Sequence, residues 1–238
     1  MIGFPGGTAL SQVRVYDWPT ADGWWGGSPH LHTVSTEGYV VQSGHGMLET
    51  LSGAGYREHR LTPGTVLWFS PGTVHRLVNT GGDLEILVLM SNAGLPEAGD
   101  AVMTFPTHVL HDPEAYAAAA SLPPTDDPEE LAAAARKRRD LAIDGYLPLR
   151  ERVRTEGLAA MVELWHAAAT LVRGRNQHWR DLWREGPLAD AVTTGDYLDN
   201  LAEGQSAHLA SSDVYSAEPA ADRFGMCGHL TRWELTSA

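Results

Sequence analysis

The sequence predicts a mainly β fold, an antiparallel sandwich or barrel, followed by a helical region and a short C-terminal strand segment. Three observations carry this. Residues 8–105 are rich in Gly, Val, Thr and aromatics, set in short runs between turn residues, the texture of many short antiparallel strands. Past Phe105 the chain turns to proline-started, alanine-rich stretches, which read as helices. The end, "RFGMCGHLTRWEL", is strand-like again. The expected division is 1–105 for the β-barrel, 106–210 for a helical extension and 211–238 for a strand segment that returns to the barrel.

In order along the chain, "SQVRVYDW", "EGYVVQ", "GMLETL", "TVLWFS", "HRLVN" and "LEILVLM" are the candidate strands. Turn dipeptides separate them: "DG" at 22–23, "SG" at 43–44 and 52–53, "PG" at 63–64 and 71–72, and "TGGD" at 80–83, each supplying a backbone conformation that strands avoid. The first helix opens on Asp112 as N-cap, with Pro113 at the first helical position and Glu114 in the first turn. A second opening repeats this with Asp127, Pro128, Glu129 and Glu130. An acceptor at the cap and acids in the first turn satisfy and complement the free N–H groups there. The longest helical stretch carries Leu158, Met161, Trp165, Ala168, Val172, Trp179 and Leu182 at three- and four-residue steps, and Gly186-Pro187 is expected to end it. That stripe packs on the barrel and on neighbouring helices, or forms the interface of a homodimer, which is the expected assembly.

With 238 residues and 43% hydrophobic content the chain can build one large domain or two small ones. Its formal net charge of −13 disfavours nucleic acid as a partner. Residues 129–186 are an exception, with 11 of the 17 basic residues against nine acids. "RKRR" at 136–139 is read as a solvated helix face. No apolar run approaches the ~20 residues of a membrane helix, so no membrane is expected as a partner. The N-terminus lacks a basic n-region, and the one cysteine, Cys227, suits a reducing compartment. A cytoplasmic location is expected. There is no P-loop, G-x-G-x-x-G, G-x-S-x-G or H-E-x-x-H.

The chemistry concentrates in "SPHLHTVSTEGYVVQSGHG", Ser28 to Gly46. His30 and His32 stand at i and i+2, so in a strand both imidazoles face one side. Glu37 follows after enough chain for a bend, and His75 leaves the Pro-Gly turn at 71–72. Three imidazoles and a carboxylate form a coherent ligand set for a divalent metal such as Fe, Ni or Zn. Alternation sends Tyr39 and Val41 to the side of Glu37, and Asn79 to the side of His75. Tyr39 is a candidate to handle a proton, with a core role as the plainer reading. Trp24, Trp25 and Trp68 are candidates to shape a pocket or to pack in the core.

This spacing resembles that of the cupins, small jelly-roll β-barrels. His30, His32, Glu37 and Gly44 match the first cupin motif, and Gly64, Gly72, His75 and Asn79 match the second. The departures are at turns: Trp24 stands where the first motif begins with glycine, and Ser70 stands where the second has proline, with Pro71 following. The resemblance covers about residues 10–92. It implies that His30, His32, Glu37 and His75 are metal ligands.

The resemblance also implies a metal-dependent enzyme on a small-molecule substrate. An oxygenase is first, with Fe first among the metals and Mn, Ni or Zn next. A non-redox isomerase, epimerase, cyclase or lyase using the metal as Lewis acid is the alternative, and a small-ligand-binding or regulatory cupin is the third reading.

Overall fold

The computed structural model describes residues 4–233 and 235. Glu234, part of the expected C-terminal strand, lies outside them, as do Met1–Gly3 of the N-terminus. Two antiparallel sheets face each other. One orders its strands as β10-β11-β1-β8-β3-β6, built from Arg223–Phe224, Gly228–Arg232, Ala9–Val15, Glu85–Met90, Glu37–Ser43 and Val66–Phe69. The other orders them as β5-β4-β7-β2-β9, from Gly55–Leu61, Gly46–Ser52, Val74–Asn79, His30–Leu31 and Val102–Met103. The non-consecutive neighbours within both sheets are those of a jelly roll.

Alternation places the interior. In β3 Glu37, Tyr39 and Val41 are buried, and in β8 Ile86, Val88 and Met90 are buried. Residues directly paired on neighbouring strands share a face. Glu37, Met90 and Ala9 therefore form one inward row. Tyr39, Val88, Ser11 and Arg232 form the next. Val13, Val15, Leu48, Leu61, Leu77 and Ile86 belong to the core between the sheets.

All six residues of β7 are buried, because both faces of that strand are covered. His75, Leu77 and Asn79 face the barrel interior, while Val74 packs under the helices. The helices are α1 (Thr107–Leu110), α2 (Pro113–Ala120), α3 (Pro128–Glu156), α4 (Leu158–Val172), α5 (Asn176–Trp183) and α6 (Ala189–Ala202). The Asp112 side chain accepts from the Glu114 and Ala115 amides, and that of Asp127 from the Glu129 amide. Leu31, Leu51, Val74, Val102 and Phe105 meet Ala142, Tyr146, Met161 and Leu164 in one apolar cluster. Gly145 lets α3 approach the barrel: a β-carbon there would stand 2.1 Å from the Thr104 carbonyl oxygen. Within the described residues, no helix is long and apolar enough to cross a membrane.

Two sequence expectations change. Gly186-Pro187 does not end the helical stretch. Pro187 lies in a π-helical turn, Arg184–Leu188, that runs on into α6, and the wider turn absorbs the amide that proline lacks. The basic run at 136–139 is only half a solvated face. Arg139 is fully buried and donates to the carbonyls of Trp18, Pro19 and Gly26. Arg138 donates to the carbonyls of Ala120 and Gly225. These guanidiniums satisfy loop carbonyls that burial would otherwise orphan.

Candidate metal centre

The structure brings His30, His32, Glu37 and His75 together. All four are buried, and one ligand atom from each lies within 4.8 Å of the others. His30 on β2 pairs directly across from His75 on β7. Their Nε2 atoms stand 3.0 Å apart. Glu37 comes from the opposite sheet, with its Oε2 3.1 Å from the Nε2 of both His32 and His75. The cluster thus joins the two sheets.

The loop between His32 and Glu37 has its own clamp. The buried Asp100 carboxylate accepts from the Thr33 amide at 2.7 Å, the Thr33 hydroxyl at 2.6 Å and the Ser35 amide at 2.7 Å. These donors hold its pKa down against the effect of burial. Ser91 then fixes the entry to β3, exchanging hydrogen bonds with Thr36 through its side chain and its amide.

Each imidazole is oriented through its other nitrogen. Nδ1 of His30 meets the Ser28 carbonyl at 2.9 Å and Nδ1 of His75 meets the Thr73 carbonyl at 3.2 Å. Nδ1 of His32 meets the Asp100 carbonyl. A carbonyl only accepts, so each Nδ1 carries the proton and each Nε2 presents a lone pair. Three lone pairs and a carboxylate then converge without a hydrogen between them, and Glu37 Oε2 is a buried oxygen with no hydrogen-bond partner among the described residues. Such a set is stable around a cation and repulsive without one. It suits a divalent metal.

Without a cation, protonation redistributes the strain. Burial, followed by the neighbouring His75 and His32, holds His30 well below its usual pKa, so it stays neutral. For His32, burial opposes protonation but Glu37 outweighs it and raises the pKa. Burial would raise the Glu37 carboxyl, yet His75 and His32 hold it well below the usual range.

Tyr39 lies beside the cluster, 1% exposed, its hydroxyl without a hydrogen-bond partner among the described residues. Burial, and after it the Glu37 charge, pushes the phenol well up, so it is a neutral O–H. Cys227 also faces this space, and burial followed by Glu37 pushes its thiol up. A neutral buried thiol is a poor ligand and nucleophile.

These groups line a cavity of about 230 Å³. Its walls are largely apolar, from Val13, Leu77, Val88, Met90, Met226 and Leu230, and it also meets Glu97, Arg223 and Arg232. Trp24, Trp25 and Trp68 are not among its walls. The first two are 44% exposed and Trp68 is 75% exposed. Asn79 is structural: it donates to the Val15 carbonyl and accepts from the Gly82 and Leu84 amides. Asp100 and Cys227 are residues of the site that the sequence does not point to. Neither has a local spacing that ties it to the histidines.

The barrel, its two-sheet cluster of three histidines and a glutamate, and the half-open cavity beside it are the features expected of a cupin domain. In agreement, residues 20–90 match the family model described as Cupin domain. The match lies within the barrel, and the helices and the C-terminal hairpin are outside it. No curated protein sequence matches the chain.

Solved structures that resemble it include KdgF from Halomonas sp., at 22% identity over 38% of this chain and 73% of that one, with a TM-score of 0.29. WlaRA from Campylobacter jejuni, a TDP-fucose-3,4-ketoisomerase, shares 15% identity over 38% of this chain and 64% of that one, with a TM-score of 0.32. A predicted oxalate decarboxylase from Thermotoga maritima shares 21% identity over 35% of this chain and 64% of that one, with a TM-score of 0.27. Likeness of this degree assigns no reaction to the present chain.

Proposed function

We propose that the protein is a metal-dependent cupin enzyme acting on a small organic substrate, and that its reaction is an oxygenation at a centre of His30, His32, Glu37 and His75. The observation that carries this reading is the convergence of three Nε2 lone pairs and one carboxylate beside a half-open, mostly apolar cavity. Imidazoles with a single carboxylate suit iron, and a divalent iron held there would supply open coordination positions and redox chemistry. The chain's own part is positional. The carbonyls of Ser28, Thr73 and Asp100 fix the imidazole planes, and the apolar walls limit water around a bound substrate.

A second reading has its own observation. The neutral, unpartnered Tyr39 phenol beside Glu37 is suited to give or receive a proton at a substrate carbon or oxygen. That favours a non-redox isomerisation or elimination, with the metal serving only as a Lewis acid.

Elemental analysis of the native protein, with His75→Ala as control, tests the centre. Near-stoichiometric iron in the wild type, at least ~10-fold lower occupancy in the variant and substrate-dependent oxygen uptake are expected. Full occupancy in His75→Ala would remove the centre. Turnover that persists under argon with zinc would replace the oxygenase reading by the second one, and tight ligand binding without turnover would replace both by a binding protein.

A further inference from the structure

The C-terminal hairpin lies outside the matched cupin segment, yet it forms one side of the metal cavity. β11 pairs with β1 in register, Ser11 opposite Arg232 and Val13 opposite Leu230, and β10 places Arg223 opposite Leu230. Val13 is an inward core residue. The pairing therefore turns Leu230, Arg232 and Arg223 toward the same interior. All three line the cavity.

Arg232 sits in the cross-strand row of Tyr39, three strand spacings away through Val88 and Ser11, which is roughly 14 Å along the sheet. Its Nε is closed off from solvent and has no hydrogen-bond partner among the described residues. Outside the metal cluster, the carboxylate among the described lining residues is that of Glu97. The Glu97 Oε2 already accepts the Gly94 amide at 2.8 Å.

The geometry points to a second anchoring position: Arg232 binds a carboxylate of the substrate whose other oxygen-bearing end faces the metal cluster. This deepens the proposed function and rests on its metal centre. The planar guanidinium fork matches a carboxylate. An inward Arg with an unmade Nε–H hydrogen bond, at the far side of an apolar cavity, selects length as well as charge. The substrate class is a short carboxylic acid with a second oxygen function several carbons away.

The test uses straight-chain ω-hydroxy carboxylic acids of three to six carbons, each against its own primary amide, which keeps the hydroxyl end and removes the carboxylate. Dissociation constants are measured by calorimetry on full-length protein loaded with a non-turnover divalent metal, whose occupancy is determined separately. Wild type is expected to bind one chain length best and to prefer that acid over its amide by at least 10-fold. Arg232→Gln is expected to erase the preference at unchanged metal occupancy, which also reports that the variant is folded. Arg232→Lys, keeping the charge without the fork, is expected to retain part of it.

Acid and amide binding equally well to metal-loaded wild type, no binding of either at millimolar concentration, or a full preference surviving in Arg232→Gln would each overturn the assignment. Failure of wild type to take up metal at all would instead remove the centre on which it rests.

Discussion

At the residue scale, the quality of the centre depends on groups that never touch a metal. Asp100 ties down the loop between His32 and Glu37 through both carboxylate oxygens, while its own carbonyl fixes His32 Nδ1. Asp100→Ala removes the acceptor for several buried donors and frees two ligands to drift. We expect metal affinity to fall roughly 10- to 100-fold, as for other orienting partners of metal ligands. Stability of the metal-free protein should fall by about 1–3 kcal/mol, since buried donors are left unsatisfied. Competition with a chelator and chemical denaturation measure the two effects, and unchanged affinity would show that the loop holds itself. The four clustered side chains were legible in the sequence because i, i+2 histidines are odd in a strand and their spacing to Glu37 and His75 is distinctive. Asp100 was not. It lies 68 residues from His32 and reaches it through backbone and loop contacts, which leave no periodic trace. Arg232 was hidden for the same reason: its relation to Tyr39 runs across three strand pairings that only the folded sheet reveals.

At the element scale, the helical half rests on close approach at particular points. Gly145 in α3 lies against the Thr104 and Phe105 backbone, where a β-carbon would stand 2.1 Å from the Thr104 oxygen and 2.4 Å from the Phe105 carbonyl carbon. Backbone cannot move aside as a side-chain tip can. Gly195 in α6 has nothing within 4 Å of that position. The same substitution is therefore expected to act in opposite directions. Gly145→Ala should destabilise by about 1–3 kcal/mol through overpacking, while Gly195→Ala should stabilise by up to about 1 kcal/mol through helix propensity. Denaturant midpoints at constant slope would read this, and a neutral Gly145→Ala would mean that α3 can lift from the barrel at little cost. Helix starts were readable because caps are local: Asp112 and Asp127 accept the amides that their positions predict. The continuation through Gly186-Pro187 was not readable, since a π-helical turn accommodates a proline that an ordinary helix interior would reject.

At the scale of the whole molecule, barrel and helices share one apolar cluster. Leu31, Leu51, Val74, Val102 and Phe105 are each 2% exposed or less, covered on the helical side by residues of α3 and α4. A chain cut at residue 105 would leave these five side chains open to water. At about 1.5–3 kcal/mol each the loss is on the order of 10 kcal/mol, as large as the roughly 5–15 kcal/mol that holds a typical domain folded. Polar ties add to this. Glu49 on β4 accepts from Arg76 on β7 and from Arg150 on α3, so removing α3 would also strip a partner from a buried carboxylate. The full chain is therefore expected to unfold in one transition, with the helical signal in far-ultraviolet circular dichroism and the tryptophan fluorescence changing together. The 1–105 fragment should lack a cooperative melt and aggregate through the uncovered sheet face. Two separated transitions in the full chain, or a monomeric fragment with a sharp melt, would show instead that the barrel folds alone and that the helices merely dock on it.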